Sequence, residues 1–495
     1  MLEQVYNSLQ FIKPELILVG TLLVSIIVDL IFKNKKVVVA FVILGLVLSF
    51  YYLTFLNSIN QLIFFNMYAI DPFAYFFKIF LLVATIGIVL FSVLSKEISD
   101  LKSREGEFYY FLVALTIGMF LMTSSTNLIM MYLAIELTSL TSYMLAGFMK
   151  EEKSSSEASL KYVLYGAFSS GMMLYGISII YGLTGSFDLL AINMAIADGV
   201  SSLALLISTV LMFVGFGYKI SAVPFHFWTP DVYEGSPISV TTILSVASKA
   251  AGFSMLMRTA KIMFIDPYAA PTVNDWQIID SVPIVEILTI LSVLTMTLGN
   301  LVAIWQSNLK RLLAYSSIAH AGYLLLGVLT MNNEGYSATL IYFVTYLFMN
   351  VGAFLIVMLV SNKLNSSDID SYKGLGMKSP FIGVMFALFL ISLTGLPPTA
   401  GFVGKLYIFA ALVNKKLILL AVIGVLNSVV SLYYYVRIFR NMFLRESDIE
   451  TPEIKLSLAE KLLILVFAIP TIGLGLYFAP LVEFAHASVE IFSGN

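Results

Sequence analysis

The chain has 495 residues, 59% of them hydrophobic and 12% charged, with a formal net charge of −2 and a mean hydropathy of +0.93. This composition excludes an ordinary soluble domain and describes a polytopic membrane protein. The absence of cysteine rules out a disulfide framework, a thiolate zinc site and a cysteine-ligated iron–sulfur cluster. A near-neutral charge with no basic, aromatic-interleaved patch argues against nucleic acid.

Crossing about 30 Å of hydrocarbon takes roughly 20 apolar residues as a helix, and the apolar runs here lack the alternation of barrel strands. The expected fold is all-α, with about fourteen transmembrane helices at 14–32, 37–56, 71–95, 107–124, 127–148, 157–184, 201–231, 237–264, 284–306, 310–330, 335–361, 379–413, 417–441 and 458–480. The N-terminal MLEQVYNSLQFIKPE lacks a basic n-region and a small-residue cleavage site, so the first apolar run is expected to be retained.

Of the 28 Lys and Arg residues, eighteen fall on one set of loops, including Lys102 and the charged tract 445–455. Five (Lys13, Arg258, Lys261, Lys415 and Lys416) fall on the other, and the connections 57–70 and 185–199 carry none. By the positive-inside rule the first set is cytoplasmic and both termini lie outside.

The remaining five cations, Lys78, Lys161, Lys219, Lys249 and Lys405, lie within spans. A charge at the bilayer centre costs about 2.5–3.5 kcal/mol on insertion scales. Lys78, two turns into the third span, is shallow enough to snorkel. Lys161 is placed similarly in the sixth, with Glu136 as a partner within reach across a helix boundary. Glu136, in LIMMYLAIELTSLTSY, falls near mid-membrane and cannot snorkel. Either it ties helices together, or it works as intramembrane acids usually do.

Spans seven and twelve are too long for single helices and carry their own breakers. Pro224 follows Lys219, while Gly395, Pro397, Pro398 and Gly401 precede Lys405. Broken backbone is tolerated in a membrane only where it is buried or lines a wet cavity. Two broken helices, each with a lysine beside the break, predict two five-helix repeats, the second inverted because five crossings are odd. The division is then 1–106 for the first three helices, 107–264 and 284–441 for the repeats, and 442–495 for the last helix and tail.

His320, near the middle of the tenth span, can pass a proton between its ring nitrogens or serve in packing. His226, just past the seventh-span break, can serve proton uptake or close the cytoplasmic end. His486 lies in the tail and reads as incidental. Tyr433, Tyr434 and Tyr435 read as a packing run. These groups predict a line: Glu136 pairs with Lys219, Lys249 lies next, and Lys405 beyond. Hydroxyls of Thr241, Ser245 and Ser248 bridge the gaps, the first two sharing a face with Lys249 if that helix is regular. Because desolvation weakens and a carboxylate strengthens a lysine's hold on its proton, such a line can move protons. A sodium/proton antiporter is the rival reading, disfavoured because sodium wants oxygen ligands and the interior offers chiefly one mid-membrane acid amid several ammonium groups. An inert scaffold would bury these charges without a task.

The runs YLAIELTSLTSYMLAGF, KYVLYGAFSSGMMLYGISIIYGLTG, KISAVPFHFWTPDVYEGSPISV, NLKRLLAYSSIAHAGYLLLG and LTGLPPTAGFVGKLYIF resemble the antiporter-like membrane subunits of bacterial NADH-quinone oxidoreductase, respiratory complex I, and among these the subunit N type. The wider family includes subunits of sodium/proton antiporter assemblies. The resemblance implies proton translocation driven by electron transfer in other subunits. It makes Glu136 the helix-five acid, Lys219 the helix-seven lysine, Lys249 the central helix-eight lysine and Lys405 the helix-twelve residue. Lys161 matches a helix-six lysine. It further implies neighbouring antiporter-like subunits, no cofactor or metal in this chain, flavin and iron–sulfur clusters in partner subunits, and a bacterial inner-membrane location.

Overall fold

The computed structural model of the chain describes residues 2–101, 104–269, 276–445 and 453–491. Lys102 and most of the 445–455 tract lie outside these. Among the described residues, twelve helices are long and apolar enough to cross a bilayer. Leu309–Val328 is a thirteenth, 20 residues long, whose Ser, His and Tyr content lowers its hydropathy. The fourteenth is split into Pro380–Thr394 and Ala400–Asn414, each 15 residues or roughly 22 Å and too short to span alone. All fourteen expected spans are therefore found. The seventh is Ser202–Ile220 followed, across a break, by the short helix Trp228–Gly235.

Polar residues start these helices where apolar sequence begins. Asp71 accepts from the Ala74 amide at 2.7 Å, Asn332 from Gly335 at 2.9 Å, and Ser457 forms a capping box with Glu460. The connections contain elements the apolar pattern does not announce: helices Leu189–Ala197 and Ala479–Ala487, and an antiparallel hairpin pairing Gln61–Ile63 with Tyr68–Ile70.

The two five-helix units share a local device. Asn127 begins the fifth span and Asn308 the tenth, each with its side chain on helix amides. Each pairs with an aspartate beyond the next helix, Asp188 and Asp368. Leu128 donates to the Phe187 carbonyl at 2.9 Å, and Leu309 to Ser367 at 2.8 Å. The first pairing sits beside a connection without Lys or Arg, the second beside one carrying Lys363, Lys373 and Lys378. That is the charge pattern of opposite membrane sides, as inversion requires.

Spans eight (Ile238–Phe264) and eleven (Asn333–Leu364) form the centre, the former buried at every residue but Lys261. Spans one, two and fourteen are peripheral and turn residues such as Leu30 and Ile469 outward. The centre thus places Lys249 as far from lipid as this fold allows.

The snorkelling reading of Lys78 is overturned. Its side chain is buried, with the ammonium 2.8 Å from Glu15 Oε1 and 4.9 Å from the Tyr68 ring centroid. Span three packs inward, so the route to the interface that snorkelling needs is closed. Arg258, counted with the outer charges, is fully buried in a bidentate pair with Asp71 at 2.6 and 2.9 Å. His486 is not idle either, lying 3.1 Å from Ser337 Oγ on span eleven.

Candidate proton path

Glu136 is the ninth residue of Leu128–Ala146 and half-buried. Ser170 of the sixth span stands between its carboxylate, to which it is hydrogen-bonded, and the Tyr132 hydroxyl at 3.1 Å. Lys219, in the last turn of Ser202–Ile220, donates to Ser139 Oγ at 3.3 Å. No direct Glu136–Lys219 ion pair forms among the described residues. The lysine meets the same helix one turn along from the acid and remains within its electrostatic reach. The expected pair is therefore separated: Glu136 is held by Ser170 and Lys219 by Ser139.

The seventh span closes on the eighth at Gly252, where a Cβ would lie 3.2 Å from Lys219 Cγ and 2.9 Å from Ile220 Cγ2. Gly252 is three residues from Lys249, so the missing side chain lets one lysine's stem approach the turn that carries the other. Lys249 itself donates to the Ser317 carbonyl of the tenth span at 2.9 Å. The five residues before it, Leu244–Ser248, form a π-helical turn. That turn destroys the regular spacing assumed for Thr241, Ser245 and Lys249. Thr241 donates instead to Tyr233 O at 2.9 Å, and Ser245 accepts from Asn350 at 2.7 Å.

One turn beyond Ser317 lies His320, buried, with Nδ1 2.6 Å from the Tyr342 hydroxyl and Nε2 3.4 Å from that of Tyr435. The imidazole is within electrostatic range of both Lys249 and Lys405. Tyr435, read from sequence as packing, also meets Ser316 Oγ at 2.5 Å. Lys405 uses all three donors, to Thr394 O at 2.7 Å, Ser428 Oγ at 2.8 Å and Leu393 O at 3.3 Å. Its ammonium lies 4.7 Å from the Tyr323 ring centroid. The carbonyls it caps are the orphaned C-terminal ones of Pro380–Thr394, released where Gly395 turns into the left-handed region at φ 88° and Pro397 and Pro398 follow.

Lys161 does not reach Glu136. It pairs with Glu157 at 2.7 Å and with Asp231 at 2.6 Å, and Arg311 bridges Asp231 at 2.6 Å and Glu234 at 2.9 Å. This half-exposed cluster sits beside the seventh-span break, around Trp228–Gly235. His226 lies buried in that break near Pro224, its Nδ1 without a partner among the described residues.

Serines 139, 170 and 428 and tyrosines 342 and 435 were missed from sequence. Ser139 alone carried a signal, its i+3 spacing from Glu136. The others come from helices distant in the chain.

A family profile described as NADH:quinone oxidoreductase/Mrp antiporter, TM, matches residues 125–431. NADH-quinone oxidoreductase subunit N 2 of Chloroherpeton thalassium is 48% identical, covering 97% of this chain and 94% of that protein. A chain of respiratory complex I from Thermus thermophilus with bound aureothin superposes with a TM-score of 0.79 at 30% identity, covering 96% of this chain and 100% of its own. A chain of the Mrp complex from Dietzia sp. has a TM-score of 0.81 at 18% identity, covering 98% of each, a likeness of fold alone.

Proposed function

We propose, for a chain that belongs to the NADH-quinone oxidoreductase subunit N family, that it translocates protons as a membrane-arm subunit of a proton-pumping NADH:quinone oxidoreductase, with electron transfer carried out in other subunits. The path runs Glu136, Lys219, Lys249, His320, Lys405. The observation that carries this reading is the central junction. The span-eight lysine is hydrogen-bonded to the span-ten backbone one turn before a histidine whose two nitrogens face two tyrosine hydroxyls. An imidazole between two lysines can accept on one nitrogen and release from the other. Short displacements at Ser139 or Ser317 would change how well each ammonium is solvated, and so which holds the proton.

Uptake is from the cytoplasmic side through the Lys161, Asp231, Arg311 and Glu234 cluster and His226. The two units 107–264 and 284–441 each supply a broken helix and its lysine. Flavin and iron–sulfur clusters belong to partner subunits, and this chain's neighbours are other antiporter-like subunits. The chain sits in the bacterial inner membrane with both termini periplasmic, a topology supported by the distribution of Lys and Arg.

The test replaces Lys219, Lys249 and Lys405 singly with Met in the assembled complex, reading quinone reduction and proton pumping separately. The expected result is pumping reduced by each. Normal pumping in all three overturns the path, and sodium-dependent pumping would instead favour the cation-antiporter function of the wider family.

A further inference from the structure

Behind His320 and Lys405 lies a buried polar cluster that the proton path does not use. Asn300, fully buried in the ninth span (Ile284–Ala303), gives its Nδ2 to the Tyr323 hydroxyl at 3.2 Å and to Asn427 Oδ1 at 3.3 Å, while its Oδ1 accepts from the Tyr434 hydroxyl at 3.0 Å. Asn427, on the thirteenth span (Ile418–Leu444), gives its Nδ2 to the Ile423 carbonyl at 3.0 Å and to Thr297 Oγ1 at 3.2 Å. That carbonyl can only accept, which fixes the Asn427 amide, and Asn427 Oδ1 in turn fixes that of Asn300. A Cβ on Gly299 would lie 2.6 Å from the Ala319 amide nitrogen, so spans nine and ten meet backbone to backbone beside Asn300. Its short side chain can therefore reach the tyrosine one turn past Ala319.

The two hydroxyls that Asn300 holds belong to rings on either side of the step from His320 to Lys405. Tyr323 has its ring centroid 4.7 Å from the Lys405 ammonium and 5.9 Å, edge to face, from the His320 ring. Tyr434 packs with its ring 4.4 Å from that of Tyr435, whose hydroxyl is 3.4 Å from His320 Nε2. Ser428, next to Asn427, accepts from Lys405 at 2.8 Å, so the cluster and the lysine grip span thirteen at adjacent residues.

We infer that Asn300 is a positioning residue for proton transfer at Lys405, holding the Tyr323 ring face-on to the ammonium and, through Tyr434, steadying the tyrosine opposite His320. The role presupposes the path proposed above. An aromatic ring is negative on its face and positive at its edge, so it favours an ammonium in one orientation only. A ring pinned at its hydroxyl cannot swing edge-on. Within this chain the titratable groups facing Lys405 are Tyr323 and His320 of span ten, while Tyr342 of span eleven lies against Gly404 on the lysine's own helix. Span thirteen supplies Ser428 and the first half of span twelve the Leu393 and Thr394 carbonyls, and among the described residues no carboxylate pairs with the lysine. With no carboxylate there, losing the face of the ring weakens the lysine's hold on its proton.

The experiment uses the assembled complex in inverted membrane vesicles, following proton pumping across pH together with assembly, with Lys405→Met as the reference. Tyr323→Leu, which removes the ring, should move the alkaline limb of the pumping profile to lower pH, by the equivalent of roughly 2- to 30-fold weaker proton binding. Asn300→Leu and Tyr323→Phe break the same hydrogen bond but keep the ring. Each should give part of that shift, and the double variant should match Asn300→Leu alone. A residue that only stiffens the packing would lower assembly and leave the pH profile where it is. Unshifted profiles in Asn300→Leu and Tyr323→Phe, or shifts that add in the double variant, would overturn the inference, while a pumping loss in Lys405→Met would leave the path standing. Normal pumping in Lys405→Met would remove the path and this role with it. If Asn300→Leu fails to assemble, the Tyr323→Phe and Tyr323→Leu profiles decide.

Discussion

Replacing Lys78 with Met separates the two readings of that residue by a measurable margin. A snorkelling lysine near the interface would contribute no more than an exposed ion pair, about 0–1 kcal/mol. In the structure Lys78 is instead buried against Glu15, whose Oε1 also receives the Tyr68 hydroxyl at 2.6 Å and whose Oε2 has no partner among the described residues. Removing the cation leaves a buried carboxylate with one hydrogen bond. Breaking one side of such a pair typically destabilises by about 3–5 kcal/mol, and the surviving Tyr68 contact places Lys78→Met near 3. Replacing both partners with apolar residues of similar volume is often neutral, so Glu15→Leu/Lys78→Met should recover most of the loss. The assay is thermal survival of the detergent-solubilised complex, followed by size-exclusion chromatography for the two single variants and the double. A single variant as stable as wild type, or a double variant no better than Lys78→Met, would refute the argument.

Asp71→Ala should impair assembly more than Glu15→Ala, because it strands the fully buried Arg258 guanidinium, and immunoblotting of the membrane-embedded complex reads this. His320→Ala should cut proton pumping by at least ~10-fold, since a positioned proton-transfer group typically contributes 10²–10⁴. Tyr342→Phe, which removes only the hydroxyl on Nδ1, should fall between it and wild type in a vesicle acidification assay. Gly252→Val should lower pumping while the complex still assembles, because the added methyls push against Ile220 and the Lys219 stem. Unchanged pumping there would mean that contact between spans seven and eight does not position the lysine.

What the sequence disclosed and what it hid divide along a physical line. Membrane spans are set by run length and transfer free energy, both local, and all fourteen expected spans correspond to helices in the structure, including the two that break. The positions of Glu136, Lys219, Lys249 and Lys405 were legible because a charge in an apolar run is conspicuous. Partners were not. Glu15 and Lys78 are 63 residues apart, and Asp71 and Arg258 are 187, so whether a cation is buried or interfacial depends on packing that no local pattern encodes. The π-turn before Lys249 is equally silent, because LSVAS has no proline or glycine to announce an irregular turn.

The placement of the lysines explains why the helices break at all. Lys219 precedes its break, in the last turn of Ser202–Ile220, whereas Lys405 follows its own and reaches back to the last carbonyls of Pro380–Thr394. The positions differ in sequence, yet each lysine is tied to the C-terminal end of the first half of a broken helix, Lys219 by its place in the last turn and Lys405 through its ammonium. That end carries a partial negative charge, worth about 0.3–2 kcal/mol to a nearby cation. An unbroken helix would deliver its carbonyl end at the far membrane surface; the breaks end Ser202–Ile220 after 19 residues and Pro380–Thr394 after 15, freeing carbonyls beside each lysine. In inverted units the two carbonyl ends point in opposite directions, so one device serves two lysines. Against an insertion cost of about 2.5–3.5 kcal/mol per charge, the helix end and a few hydrogen bonds offset a large part. With so much of the compensation resting on a few contacts, a small shift in one neighbouring acid or hydroxyl changes how well each ammonium is held, as a proton-carrying line requires.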